Sequence, residues 1–256
     1  LLPYHAEVLG AIMRCLSDAE AEIRQVADRT NGDLLTLVQE TGGMFELSPL
    51  LDTLTGELLG KDDVPTKMAA LRWINMLLEK RKGDMNQFIP DLLPLLLRTL
   101  SDSSDAVVLL NVQVLSRISL SHTEKEQPPT RTDEQQDATT TVTDGNDAGG
   151  GAEENQFQMV LNAILGLFAA DRKLLEMRGS LVIRKLCVLL NAQSVYIRMA
   201  DALSSYESSV STNNVNNNSN MEPSLKDGGF TLEFVATMVQ TLNLILLTAP
   251  ELHALR

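Results

Sequence analysis

The sequence predicts an all-α solenoid of antiparallel helix pairs, and three observations carry that expectation. The apolar residues are Leu, Val, Ala, Ile and Met, with aromatics only 4% of the chain, a composition that favours helices over sheets. Apolar positions recur at helical spacing. The helical stretches also come in pairs around short acidic turns, and the pairs repeat. Aligned on those turns, Arg24, Lys67, Val108 and Arg178 take equivalent places. The steps between them are 43, 41 and 70 residues, the last holding an insertion of some 30. A helix–turn–helix period of about 40–47 residues is that of HEAT and armadillo repeats.

Residues 2–16 read as an amphipathic helix with Val8, Ile12 and Leu16 or Cys15 on its apolar stripe. Ser17 and Asp18 stop it and cap the next. That second helix runs to about Val38, with a possible break at Asn31-Gly32, and Thr41-Gly42-Gly43 closes the unit. The second unit opens at Ser48-Pro49, a cap followed by a first-turn proline. It turns at Lys61-Asp62-Asp63, and its second helix, PTKMAALRWINMLLEKRK, ends at Gly83. Trp73 is expected in the core between helices. The third unit is QFIPDLLPLLLRTL, a turn 101–105, and AVVLLNVQVLSRISL; Pro90 and Pro94 fit a helix start, although Pro94 could kink it. Asp102 and Asp105 read as helix caps rather than as a catalytic pair.

Residues 121–155 have almost no apolar side chains and many carboxylates, which predicts a disordered acidic insertion. The fourth unit follows: QFQMVLNAILGLFA, the turn Ala170-Asp171-Arg172, and a helix spanning 171–196. Leu175, Gly179, Val182, Ile183, Leu186 and Leu190 share one side of it, Leu181 and Val188 make a second apolar surface, and Arg178 and Lys185 share an edge. Two apolar surfaces call for neighbours on both sides. An Asn/Ser tract at 207–229 reads as a second insertion. Residues 230–256 close the chain, with Pro250 opening a new helix. The organisation expected is therefore HEAT repeats at 1–120, insertion 121–155, a further repeat at 156–206, insertion 207–229, and helices at 230–256.

The formal charge of −13 and pI near 4.6 make the chain a poor partner for nucleic acid or an anionic membrane. No apolar run approaches the roughly 18 residues of a spanning helix. Cys15 and Cys187 lie far apart on apolar helical patterns and read as buried thiols in a reducing compartment. The chain starts at Leu1 without a Met and ends in a helical pattern, as expected of a piece of a longer protein.

Chemistry is hard to find. His5, His122 and His253 are isolated, neither Cys belongs to a CxxC, and Ala21 and Gln193 stand where a phosphate-binding cysteine loop needs Arg. There is no P-loop or GxGxxG. No catalytic, metal or cofactor residues are expected, and no cofactor. Arg178, Arg184 and Lys185 form the basic cluster of the fourth unit. The structural reading has Arg178 pairing with an aspartate of the neighbouring turn; the functional reading makes these three residues the candidate partner-binding face.

The strings LRWINMLLEKRK, LLRTLSDSSDAVVLLNVQVLSRIS, RGSLVIRKLCVLLNAQSVY and FVATMVQTLNLILLTAPELHALR together resemble the HEAT-repeat scaffold family of the phosphatidylinositol-3-phosphate 5-kinase complex. The resemblance implies a non-catalytic protein that holds this lipid kinase and an opposing Sac-type phosphoinositide phosphatase in one assembly. It also implies self-association through the C-terminal region and a cytoplasmic place on the outer face of vacuoles and late endosomes, reached through partners. The start of the phosphatase-binding section is expected from about Arg178 onward. The competing readings are a generic HEAT adaptor in trafficking or transport and an unrecognised hydrolase.

Overall fold

The computed structural model describes residues 4–40, 45–60, 63–120, 150–213 and 231–256. Among them there is no strand. The helices are α1 (His5–Cys15), α2 (Ala21–Glu40), α3 (Leu47–Gly60), α4 (Val64–Lys80), α5 (Lys82–Met85), α6 (Ile89–Thr99), α7 (Asp105–Ser119), α8 (Gly150–Ala170), α9 (Arg172–Leu174), α10 (Ser180–Leu189), α11 (Ala192–Asn213) and α12 (Leu232–Thr248). A 3₁₀ turn (Asn86–Phe88) leads into α6, a π-helical turn (Leu175–Gly179) joins α9 to α10, and a 3₁₀ helix (Pro250–Leu255) follows α12.

Two layers form. The first helices α1, α3, α6, α8 and α11 pack side by side, and the second helices α2, α4, α7, α10 and α12 make the other layer. Each pair buries its apolar faces against its neighbours, so one hydrophobic core runs from Leu9 to Leu252. This is an α-solenoid of the expected kind. Its starts are fixed locally. Asp63 accepts the Thr66 N–H at 3.1 Å, Asp171 that of Leu174 at 3.0 Å, and Thr231 that of Phe234 at 3.2 Å, each partnering an amide that the helix leaves free.

Several sequence expectations are corrected. The buried stripe of α1 is Ala6, Leu9, Met13 and Leu16, while Val8, Ile12 and Cys15 are half-buried. At Gly10 a Cβ would stand 3.2 Å from Thr53 Cγ2, so α1 and α3 approach closely there. Helix α2 does not break at Asn31-Gly32, because the Asn31 side chain is buried and accepts a hydrogen bond from Trp73 Nε1 at 2.8 Å. Helix α3 begins at Leu47, ahead of the Ser48-Pro49 start. Helix α4 ends at Lys80 rather than Gly83, and Gly83 lies within α5. Pro94 sits inside α6, where an unbroken helix tolerates it. Thr41, Gly42, Gly43, Lys61 and Asp62 lie outside the described residues.

The helix expected over 171–196 stops at Leu189. Leu190 is extended (φ −115°, ψ −174°), and Tyr196 belongs to α11, which Asn191 caps by accepting the Ser194 N–H at 2.9 Å. Its main stripe is buried as expected at Leu175, Gly179, Val182, Ile183 and Leu186, whereas Leu190 is half-buried. The second apolar surface lacks a neighbour among the described residues: Leu181 is half-buried and Val188 is 61% exposed. Helix α8 begins at Gly150 and α11 runs to Asn213, so helix occupies positions assigned to both insertions. The remainder, 121–149 and 214–229, lies outside the described residues.

Candidate partner-binding surface

The second-helix layer is tied by polar contacts at each junction. Between α2 and α4 the tie is Trp73 on Asn31. Between α4 and α7 there are two: Lys67 Nζ reaches Asp102 Oδ2 at 2.6 Å, and Arg117 donates to Asn75 at 2.8 Å and pairs with Glu79 at 3.1 Å. Between α7 and α10, Arg178 Nη1 donates to Asp105 Oδ1 at 2.6 Å and its Nη2 to the Ser103 carbonyl at 2.9 Å. Between α10 and α12, Arg172 pairs with Glu233, and Arg184 Nε donates to Glu251 Oε1 at 3.3 Å. The starts of α9 and α12 are thus joined, as are the middle of α10 and the start of the closing 3₁₀ helix, which sets α10 and α12 side by side and parallel.

These contacts revise the reading of the acidic turn. Asp102 and Asp105 are not helix caps: Ser104 precedes α7 without a side-chain cap, and Asp102 accepts the Ser104 N–H at 2.8 Å within the turn. The other oxygen of Asp102 receives Lys67 from one side, and Asp105 receives Arg178 from the other. The third unit has Val108 where its neighbours carry a base, and it supplies two carboxylates instead. Arg24 donates to the carbonyls of Asp18 and Ala19 in its own turn, at 2.7 and 2.8 Å.

The structure therefore places the three sequence candidates differently. Arg178 rises from the π-helical turn, mostly buried against α7, and takes the aspartate of the neighbouring turn as its partner. Arg184 is held at Glu251. Lys185 is half-buried and has no ion pair or hydrogen bond among the described residues. The Arg172 guanidinium is held above its ordinary pKa first by its hydrogen bond to Glu233 and then by that to Glu176. Burial, followed by the charge of Glu251, pushes the Cys187 thiol up to about 11. Cys15 is only half-buried, in a groove of about 520 Å³ between α1 and α2.

The pairing of Arg178 with an aspartate of the neighbouring turn is the one the structural reading expects; Glu233 and Glu251 were missed from sequence, as was Arg172. The signal available was the equivalence of Lys67 and Arg178; the carboxylates they select lie 35 and 73 residues away. A groove of about 520 Å³ is lined by Glu79, Lys82, Gln113, Arg117, Leu120 and Leu189. Among the described residues no group of three or more His, Cys, Asp or Glu is placed to hold a metal ion, and no helix is long and apolar enough to cross a membrane.

Two protein families match parts of the chain. Residues 172–256 match the family described as "Vacuolar protein 14 C-terminal Fig4p binding", and residues 1–109 match "EF3 N-terminal HEAT repeat". A "Protein VAC14 homolog" of Arabidopsis thaliana is 33% identical over 256 residues, all of this chain and 27% of that protein. The chain belongs to the Vac14 family. Another "Protein VAC14 homolog", from Schizosaccharomyces pombe, is 28% identical over 78% of the chain and 18% of its own length. "Vacuole morphology and inheritance protein 14" of Saccharomyces cerevisiae is 22% identical over the whole chain and 23% of its own length. This Vac14-family chain thus spans about a quarter of the relatives it matches. No solved structure matches it. The family match at 172–256 opens at Arg172, the first residue of α9.

Proposed function

We propose that the chain is part of a non-catalytic scaffold that assembles a phosphatidylinositol-3-phosphate 5-kinase with a Sac-type phosphoinositide phosphatase. In this reading the scaffold regulates synthesis and turnover of phosphatidylinositol 3,5-bisphosphate on the cytosolic face of vacuole and late-endosome membranes. The observation that carries it is the match of 172–256 to a family described by its binding of Fig4p, on a solenoid whose second helices present a long continuous face. Self-association through the C-terminal region belongs to the same proposal, as does recruitment to membranes through partners. Of the three basic residues, Lys185 touches the phosphatase, while Arg178 and Arg184 hold α10 in the attitude that presents it.

The test is capture of purified kinase and purified phosphatase, separately and together, on the immobilised chain. Binding of the phosphatase, and enhanced recovery of the kinase with it, is the result expected. Binding of neither enzyme overturns the reading.

A further inference from the structure

The outward stripe of α10 is apolar. Met177, Leu181 and Val188 lie four and seven residues apart, pointing away from the core stripe, and Met177 and Val188 are 70% and 61% exposed. Arg178 reaches to α7 on one flank and Arg184 to the closing 3₁₀ helix on the other, so the stripe between them is the open face of the layer. The parallel neighbour α12 shows the same character: Leu244 and Leu247 are 59% and 67% exposed, three residues apart. Leu244 lies on the side of Glu233, which faces α9, and Leu247 on the crest. The opposite flank of α12, with Val239, borders a separate small groove against Tyr196 of α11. A monomer leaves large apolar side chains open singly, but seldom in rows on neighbouring helices.

Two further observations meet here. This is the section matched by the phosphatase-binding family, and the one π-helical turn among the described residues lies under Met177, such turns being frequent at functional positions. Resting on the function proposed above, we infer that the exposed apolar face of α10 and α12, made by Met177, Leu181, Val188, Leu244 and Leu247, receives an amphipathic helix of the phosphatase. The stripe from Met177 to Val188 is about 16 Å long at 1.5 Å per residue, which suits a helix of about three turns with apolar side chains at i, i+4 and i+7. Lys185, one helical turn from both Leu181 and Val188 and without a counter-ion among the described residues, selects a carboxylate on that helix's edge. Arg178 and Arg184 are already paired and do not take part directly.

The experiment measures binding of purified phosphatase to the whole chain by calorimetry. Val188→Asp and Leu247→Asp are expected to weaken it at least tenfold each while leaving the helical circular dichroism and the melting midpoint unchanged, since both side chains are exposed. Lys185→Glu weakens it and Lys185→Arg restores it. Val26→Asp, on the exposed side of α2 at the far end, leaves it intact. Wild-type affinity in both Asp variants overturns this inference and leaves the proposed function standing. Absence of phosphatase binding by the unaltered chain overturns both. If the Asp variants abolish self-association in sedimentation and spare phosphatase binding, a second copy occupies this face and the inference fails.

Discussion

Replacing Asp102 by Asn removes one charge from the most enclosed ion pair among the described residues. The side chains of Lys67 and Asp102 are 12% and 6% exposed and meet at 2.6 Å. Asn keeps an oxygen for the Ser104 N–H, so the turn retains its hydrogen bond and the loss is confined to the pair. Removing one partner of a largely buried ion pair costs about 3–5 kcal/mol. Lys67 keeps a further polar partner besides Asp102, so we expect the lower end, about 3 kcal/mol. At roughly 2–4 °C per kcal/mol for a chain of this size, the midpoint falls by about 6–12 °C. Repeat arrays do not always unfold in one step, so thermal melting is best joined by hydrogen exchange on α4 and α7, where protection should fall first. The control is Lys67→Met with Asp102→Asn, which removes both charges and recovers most of the loss. A fall of under 2 °C in the single variant, or a double variant no better than the single, refutes the argument that this contact binds α4 to α7.

Three other outcomes are expected. Asn31→Leu leaves Trp73 Nε1 buried and unpaired, at a cost of about 1–3 kcal/mol, read in denaturant titration followed by tryptophan emission; Trp73 is the chain's one Trp. Gly179→Ala would place a Cβ 2.6 Å from Leu175 Cδ1, and since Leu175 is buried the overpacking costs about 1–3 kcal/mol, seen as a lowered midpoint. Cys187 keeps its proton in the folded state up to about 11 against an ordinary 9.0. Its contribution to stability is therefore complete below pH 9 and lost as pH rises towards 11, because the unfolded thiol ionises first. Denaturation midpoints across that range should decline, less steeply in Cys187→Ala, and a thiol reagent at pH 8 should modify Cys15 before Cys187.

The repeat plan was legible because its signals are local. Acidic turns recur at a set step, and the residue after each turn is basic in three units out of four. The π-helical turn was not legible, since Leu175, Gly179 and Val182 keep ordinary helical spacing through it. Nor was the end of α10 at Leu190, where apolar residues continue and only the extended backbone marks the stop. The stripe of α1 was misplaced by one residue because Val8-Leu9 and Ile12-Met13 are adjacent apolar pairs, and packing on α3 decides which member goes inward. The pairing of Arg178 with the turn before it was legible from the repeat alignment, but sequence could not say that Glu251 occupies Arg184. That partner is set by how units stack rather than by anything near in the chain.

The turn of residues 101–105 gives the array a polarity of its own. Lys67 points along the chain to the turn that follows it, whereas Arg178 points back to the turn that precedes it, and both end on the third unit. That unit receives from both neighbours and returns no basic residue at Val108. The helix pairs, alike in outline, therefore cannot trade places. Joining the second unit directly to the fourth would set Lys67 and Arg178 on neighbouring helices without the two carboxylates that now separate them. A duplicated third unit would leave a pair of aspartates facing a valine. Order along the array is written in the direction of these contacts, and the third unit is where that direction reverses.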